Sequence, residues 1–174
     1  MEKISETLMC MLEDRKLQIQ CNDFDRHITI INADLILIKL EDSKIGINSV
    51  KTIALHLKDY EVKHCIVLYT SSVTVFAKIE IAKLEEEGKR IELFQYTELM
   101  YNITKHMLVP KHIVMTNSEK KELLKTYNIT DKQIPKILVS DPVSRYFNTK
   151  PGDLFKIVRN SNVTHKSVGF RIVI

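Results

Sequence analysis

Residues 137–153, ILVSDPVSRYFNTKPGD, decide how the second half of this chain folds. The stretch opens as a buried-looking strand, KILVS from Lys136, and runs directly into Asp141-Pro142. An aspartate side chain accepts a hydrogen bond from the free N–H groups at a helix start, and proline suits the first helical position because its missing N–H would have had no partner. The pair therefore predicts a short helical turn carrying Val143, Tyr146 and Phe147. Pro151-Gly152 then fits the central positions of a type II turn, proline fixing φ and glycine taking the positive φ. With Lys150 before it and Asp153 after it, that turn launches the extended LFKIVR.

Working outward, Thr116 and Glu119 form a T-x-x-E capping box, with Ser118 an alternative cap, ahead of a helix through EKKELLKTYN that packs by Leu123, Leu124 and Tyr127. Asn128 can end it. Thr130 begins another turn confined by Pro135, and a polar loop separates LFKIVR from SVGFRIVI. So apolar an end is expected to be tied into a sheet. The result is a compact α+β unit.

Towards the N-terminus, Ile4, Leu8, Met11 and Leu12 make one helical stripe, and HITIINADLILIKL from His27 is a β-branched run. EDSKIGI leads to a second short extended piece. Ser49 is expected to cap a helix through Val50, Ile53, Ala54 and Leu57, VKHCIVLY is a buried strand, and Ser72 is expected to cap a helix through Phe76, Ala77, Ile81 and Leu84 that Gly88 ends. RIELFQY supplies a further strand. Strands alternating with helices predict a small, mostly parallel sheet flanked by helices. The expected division is an α/β domain over 1–102 and an α+β domain over 103–174.

Charge separates the same halves. Residues 1–102 hold 13 Lys and Arg against 17 Asp and Glu, a balance of −4, whereas 103–174 hold 13 against 5, a balance of +8. Two modules with different neighbours are implied, the second facing nucleic acid or an acidic protein surface. The charged N-terminus MEKISETLMCMLEDRK is no signal peptide and no apolar run approaches a membrane span, so an intracellular protein is expected. Cys10, Cys21 and Cys65 are far apart and read as free structural thiols.

With four glycines and no phosphate-binding motif, nucleotide binding by the usual loops is excluded. His64, His106 and His112 lack metal-ligand spacing. Asp34, Glu41 and Glu61 with Lys39 or Lys63 could form a metal-dependent nuclease cluster, the one catalytic alternative. No metal, cofactor or catalytic residue is otherwise expected.

HMLVPKHIVMT, LLKTYNIT, QIPKILVSDPVSRYFNTKPGD and FKIVR resemble, densely and in order, the C-terminal domain of the eukaryotic fifth subunit shared by the three nuclear RNA polymerases, and its archaeal counterpart, the H-type polymerase subunit. TLMCMLEDR, IGINSVKTI and LMYNIT resemble the eukaryotic form's N-terminal half. The resemblance implies a non-catalytic polymerase subunit, whose C-terminal assembly domain docks on the largest subunit and whose N-terminal jaw domain lies beside downstream double-stranded DNA. It implies no membrane association and no independent homo-oligomer. A jaw shorter than in nuclear versions, with the Lys- and Ile-rich composition, points to a large DNA virus or a reduced parasite genome. The site would then be a viral factory or virion, or the nucleus if the source is cellular.

Asp141, Pro142, Pro151, Gly152 and Asp153 are read as the structural frame, and Arg145, Tyr146, Lys150, Arg159 and Ser161 as the assembly interface, since Arg and Tyr suit surfaces that are both buried and hydrogen-bonded. Lys78, Lys83, Lys89 and Arg90 are the candidates for weak DNA contact. The family's Pro-Ser-Glu-Thr-type loop after KI[IV]R is replaced here by Asn160, Ser161, Asn162 and Val163. A free-standing nucleic-acid-binding transcription factor is the alternative outside the polymerase.

Overall fold

Within the β-branched run from His27, Ala33-Asp34 breaks the extended pattern, and there the strand doubles back. The structure, a computed structural model, describes residues 2–17, 27–40, 44–161 and 165–174. Two compact units make up the chain, Met1–Tyr101 and Asn102–Ile174, against the expected boundary one residue later. Among the described residues no helix is long and apolar enough to cross a membrane.

In the first unit, helix α1 (Glu2–Asp14) precedes the hairpin of β1 (Ile28–Asn32) and β2 (Leu35–Leu40), whose turn is held by the Asp34 N–H donating to the Asn32 side chain at 3.0 Å. The run is thus two antiparallel strands rather than one extended piece. Next come β3 (Lys44–Ile45), α2 (Ile47–Asp59), β4 (His64–Tyr69), β5 (Ser72–Val73), α3 (Val75–Glu86), β6 (Arg90–Gln95) and α4 (Tyr96–Leu99). The sheet order is β1-β2-β4-β6, parallel throughout except at β1, while β3 and β5 form a separate parallel ribbon. A mixed α/β architecture with a mostly parallel sheet follows.

Two helix starts differ from the sequence expectation. Gly46, not Ser49, stands at the start of α2, which has no side-chain cap. Ser72 is taken into β5, and Thr74 caps α3 by accepting from the Ala77 N–H at 3.3 Å. The ribbon pairing of β5 with β3 shifts the cap two positions, a long-range constraint that local propensity does not contain. Gly88, at φ +86, ends α3 as expected.

Alternation along the strands sends Ile36, Ile38, Cys65, Val67 and Ile91 to one face, against Val50, Ile53 and Leu57 of α2 and Ala77 and Ile81 of α3. Leu35, Leu37, Ile66, Leu68 and Phe94 are buried on the other face. Leu8, Met11 and Leu12 of α1 are buried too, and Arg15 just beyond that helix bonds Glu92, which shares a face with Phe94. Helix α1 therefore covers the second face. Each such fully buried aliphatic side chain stabilises by about 1.5–3 kcal/mol.

The second unit contains β7 (Lys111–Val114), α5 (Asn117–Tyr127), β8 (Lys136–Ile137), α6 (Pro142–Tyr146), β9 (Leu154–Ser161) and β10 (His165–Val173), with 3-10 turns at Ile103–Lys105 and Asp131–Gln133. Its sheet runs β7-β9-β10-β8, antiparallel except for β8 against β10. One face packs Ile137, Val143, Phe155, Ile157 and Val173 with Ile103, Val109 and Phe147. The other packs Leu154 and Ile172 against Leu123 and Ile134.

The Thr116–Glu119 capping box forms, and Asn128 closes α5 in the left-handed conformation at φ 50. Tyr127, however, is largely exposed, its ring 6.4 Å from that of Phe170 between centroids. KILVS shortens to Lys136–Ile137, leaving Leu138 and Val139 at the surface. Asn160 and Ser161 belong to β9, paired with Lys166 and His165, so the strand outlasts the expected loop start. Asn162 and Val163 lie outside the described residues, as do Cys21 and Glu41.

Candidate functional site

The turns within 137–153 close through local bonds, while both ends of the segment are tied to β10. Asp141 Oδ1 accepts from the Val143 N–H at 2.9 Å, with Pro142 at the first position of α6. The turn that follows is closed by the Asp153 N–H to the Lys150 carbonyl at 3.0 Å, and Asp153 Oδ2 accepts from the Lys150 N–H at 2.7 Å. Gly152 has φ +95, the value the type II turn requires. Asn148, at φ 53, supplies a further left-handed residue between the two turns. Asp141→Ala is expected to cost about 1 kcal/mol through loss of the cap, read as a lower urea midpoint for the second unit.

The sequence groups five side chains into one contact surface, and the structure separates them. Tyr146 is 4% exposed, its ring edge-on to Phe147 at 5.1 Å and its hydroxyl accepting from Asn102 Nδ2 at 3.4 Å. It holds the unit's interior and cannot meet a partner without opening it, which corrects the reading of Tyr146 as surface. Burial of the aromatic body with a bonded hydroxyl is the ordinary reason for tyrosine in such a place. Arg145 is half-buried in the last turn of α6, and Lys150 and Arg159 are exposed. Arg159 stands on β9, in register with Ser167 of β10, and Ser161 pairs with His165 two residues further. Arg145 and Lys150 flank one turn; Arg159 belongs to the far end of the hairpin.

A family profile described as RNA polymerase Rpb5, C-terminal domain, matches residues 101–173. Over 189 residues the chain is 32% identical to the Dictyostelium discoideum protein "DNA-directed RNA polymerases I, II, and III subunit rpabc1", covering 99% of this chain and 96% of that one. The chain belongs to the Rpb5 family of RNA polymerase subunits. An Arabidopsis thaliana relative, "DNA-directed RNA polymerase subunit 5-like protein 1", is 30% identical over 185 residues, 91% of this chain and 88% of its own. The Caenorhabditis elegans "DNA-directed RNA polymerases I, II, and III subunit RPABC1" is 39% identical over 134 residues, 77% of this chain, which spans only 63% of that relative's length. The Rpb5 C-terminal match begins at Tyr101, one residue before the second compact unit.

In this Rpb5-family chain the described residues of the nuclease alternative, Asp34, Lys39, Glu61 and Lys63, are dispersed. Asp34 is exposed in the β1–β2 turn, while Lys39 is buried near the opposite end of β2, about 16 Å away at about 3.3 Å per residue. Glu61 takes the left-handed conformation, φ 53, where the chain leaves α2. Lys63 is exposed, and its carbonyl accepts from the Arg90 N–H at 2.7 Å. No group of three metal-ligating side chains occurs among the described residues. His112 bonds the Pro110 carbonyl and stacks edge-on to Phe155, and burial holds its pKa below the usual value.

The basic candidates of the first unit sit on α3 and just after it. Lys83 pairs with Glu80 at 3.0 Å and Lys89 with Glu87 at 3.3 Å, Lys78 is exposed, and Arg90 is half-buried at the start of β6. Two of these four charges are already met by neighbouring acids, so the helix offers a mixed rather than a bare positive surface.

Sequence reasoning missed a buried, multiply bonded polar group of the first unit. Glu92 accepts from Arg15 Nη1 at 3.0 Å and Nη2 at 2.8 Å, a bidentate pair, while its Oε1 also meets His64 Nε2 at 2.5 Å. A carboxylate can only accept, so Nε2 must carry its proton. Burial pushes the Glu92 pKa up, yet the His64 hydrogen bond and the charge and hydrogen bonds of Arg15 together hold it below 4.5. Burial, aided by the Glu92 charge, pushes the Cys65 thiol, on the opposite face of the sheet, up to about 12, so it stays neutral and inert. The available signal was one acid at an inward position of the apolar strand RIELFQ.

Proposed function

We propose that this chain is a non-catalytic structural and assembly subunit of a multisubunit DNA-directed RNA polymerase. Its second unit docks on the largest subunit, and its first unit is the jaw module near downstream DNA. The observation that carries this reading is the likeness across nearly the whole length of the slime-mould polymerase subunit. The bonded turns of 137–153 support it, because a segment already fixed in shape loses little conformational freedom on docking. The +8 balance of the second half favours an acidic surface on the partner. Its place of action would follow the polymerase: the nucleus of a cell, or the cytoplasmic factory or virion of a large DNA virus.

Affinity purification of the tagged chain from its native source, with subunits identified by mass spectrometry, should recover the two large polymerase subunits. Recovery of the chain alone would overturn the reading. If the isolated protein instead bound DNA tightly at physiological salt, with affinity falling steeply as salt rises, the free-standing nucleic-acid-binding alternative would hold. Within the proposed interface, Arg145→Glu combined with Lys150→Glu should lower co-purification by about tenfold or more while leaving the melting temperature nearly unchanged. Undiminished assembly would remove this turn from the interface.

A further inference from the structure

Strand β8 covers only the end of β10. It pairs with Ile172 and Val173, its last rungs being the Ile172 N–H to the Pro135 carbonyl and the Ile174 N–H to the Ile137 carbonyl, both 2.9 Å. Backbone groups alternate in direction along a strand, so Phe170 and Val168, in step with Ile172, turn their N–H and C=O to the same side. There, among the described residues, no strand meets them.

A groove of about 410 Å³ lies along this open edge. The residues lining it fall into two sets by strand parity. Ile129, Ile134, Pro135 and Phe170 give it an apolar side, and Arg159 and Arg171 a cationic one. No acid lines it, and neither arginine forms an ion pair among the described residues. A Cβ added at Gly169 would meet nothing within 4 Å, so the edge is unobstructed on the arginine side. Lys166 and Lys136 are exposed along the same edge. Such lysines repel a second copy of the same edge, but they attract a strand of opposite charge.

We propose that the open edge of β10, residues 166–171, receives an extended acidic segment of another polypeptide as an added strand. Its backbone pairs with Val168 and Phe170, alternate apolar side chains lie over Ile129, Ile134 and Phe170, and the intervening carboxylates face Arg159 and Arg171. Main-chain pairing supplies the affinity and the two-sided groove the selectivity. The proposal rests on the polymerase reading only for which protein donates the strand.

The test uses the full chain and the peptide acetyl-Glu-Val-Glu-Ile-Glu-Val-Glu-amide, followed by amide NMR and hydrogen exchange. Saturable binding is expected, with exchange slowed at Val168 and Phe170. Binding should weaken at least about tenfold with Arg159→Glu/Arg171→Glu, and equally when lysine replaces glutamate in the peptide. A version of the peptide N-methylated at every residue keeps the charge but has no N–H to donate along either edge, and it should not bind. No response, equal binding by the methylated peptide, or a response at these amides only to a short single-stranded oligonucleotide would overturn the proposal. Because the assay needs no polymerase, a failed co-purification beside a positive peptide result would remove the polymerase reading and leave the groove.

Discussion

Arg15→Leu is expected to destabilise the first unit by about 3–5 kcal/mol, because it leaves the Glu92 carboxylate buried without its bidentate, permanently charged partner. The Arg15 side chain is 4% exposed and that of Glu92 12%, so water cannot restore the lost solvation. Urea unfolding of the full chain, followed by hydrogen exchange at β4 and β6, measures the loss and locates it. Adding Glu92→Leu should recover most of the stability, since an apolar pair of similar volume carries no desolvation cost. If the double variant were as unstable as the single one, packing rather than an orphaned charge would be the cause.

The same cluster sets an acid limit. The folded pKa of Glu92 lies below 4.5, so its contribution is complete above that value and is lost as pH falls through the folded one. His64 and Arg15 face the carboxylate directly, and the Cys65 thiol, on the other face of the sheet, remains neutral throughout this window. Stability of the first unit should therefore fall below pH 4.5, and Arg15→Leu should flatten that slope. A variant with an unaltered slope would show that other carboxylates dominate.

Phe155→Ala should cost the second unit about 3–5 kcal/mol. Phe155 is fully buried, edge-on to Phe147 at 5.9 Å and to His112 at 5.6 Å, and so joins the α6 turn and β7 through one ring. Loss of its area is compounded by loss of both ring contacts, about 0.5–1.5 kcal/mol each. Amides of β9 and β10 should lose exchange protection while β2 and β4 keep theirs, and co-purification should drop as the α6 turn loosens. Equal loss in both units would mean that the chain unfolds as one cooperative body.

How much of the fold is legible in the sequence divides along the range of the interactions. The Asp141 cap, the Thr116–Glu119 box, Asn128 and Gly152 can be read from the residues because each device is closed within a few positions. Ser49 and Ser72 fail as caps because distant pairing decides where α2 and α3 begin. The hairpin turn at Asp34 escapes notice because β-branched residues on both sides mask a two-residue break. Tyr146 and Glu92 are misjudged or overlooked for a related reason. Composition suggests that a tyrosine can serve an interface and an acid the solvent, but only the fold shows that Asn102 and Arg15 reach them.

The Ile174 N–H donates to the Ile137 carbonyl and the Ile174 carbonyl accepts from the Val139 N–H at 3.0 Å, so Ile174 latches the segment feeding the Asp141 turn. Replacing Ile174 by proline, which removes its N–H, would be felt upstream: the strap leading into α6 would swing loose, and a change far away in sequence would reshape the Asp141 turn.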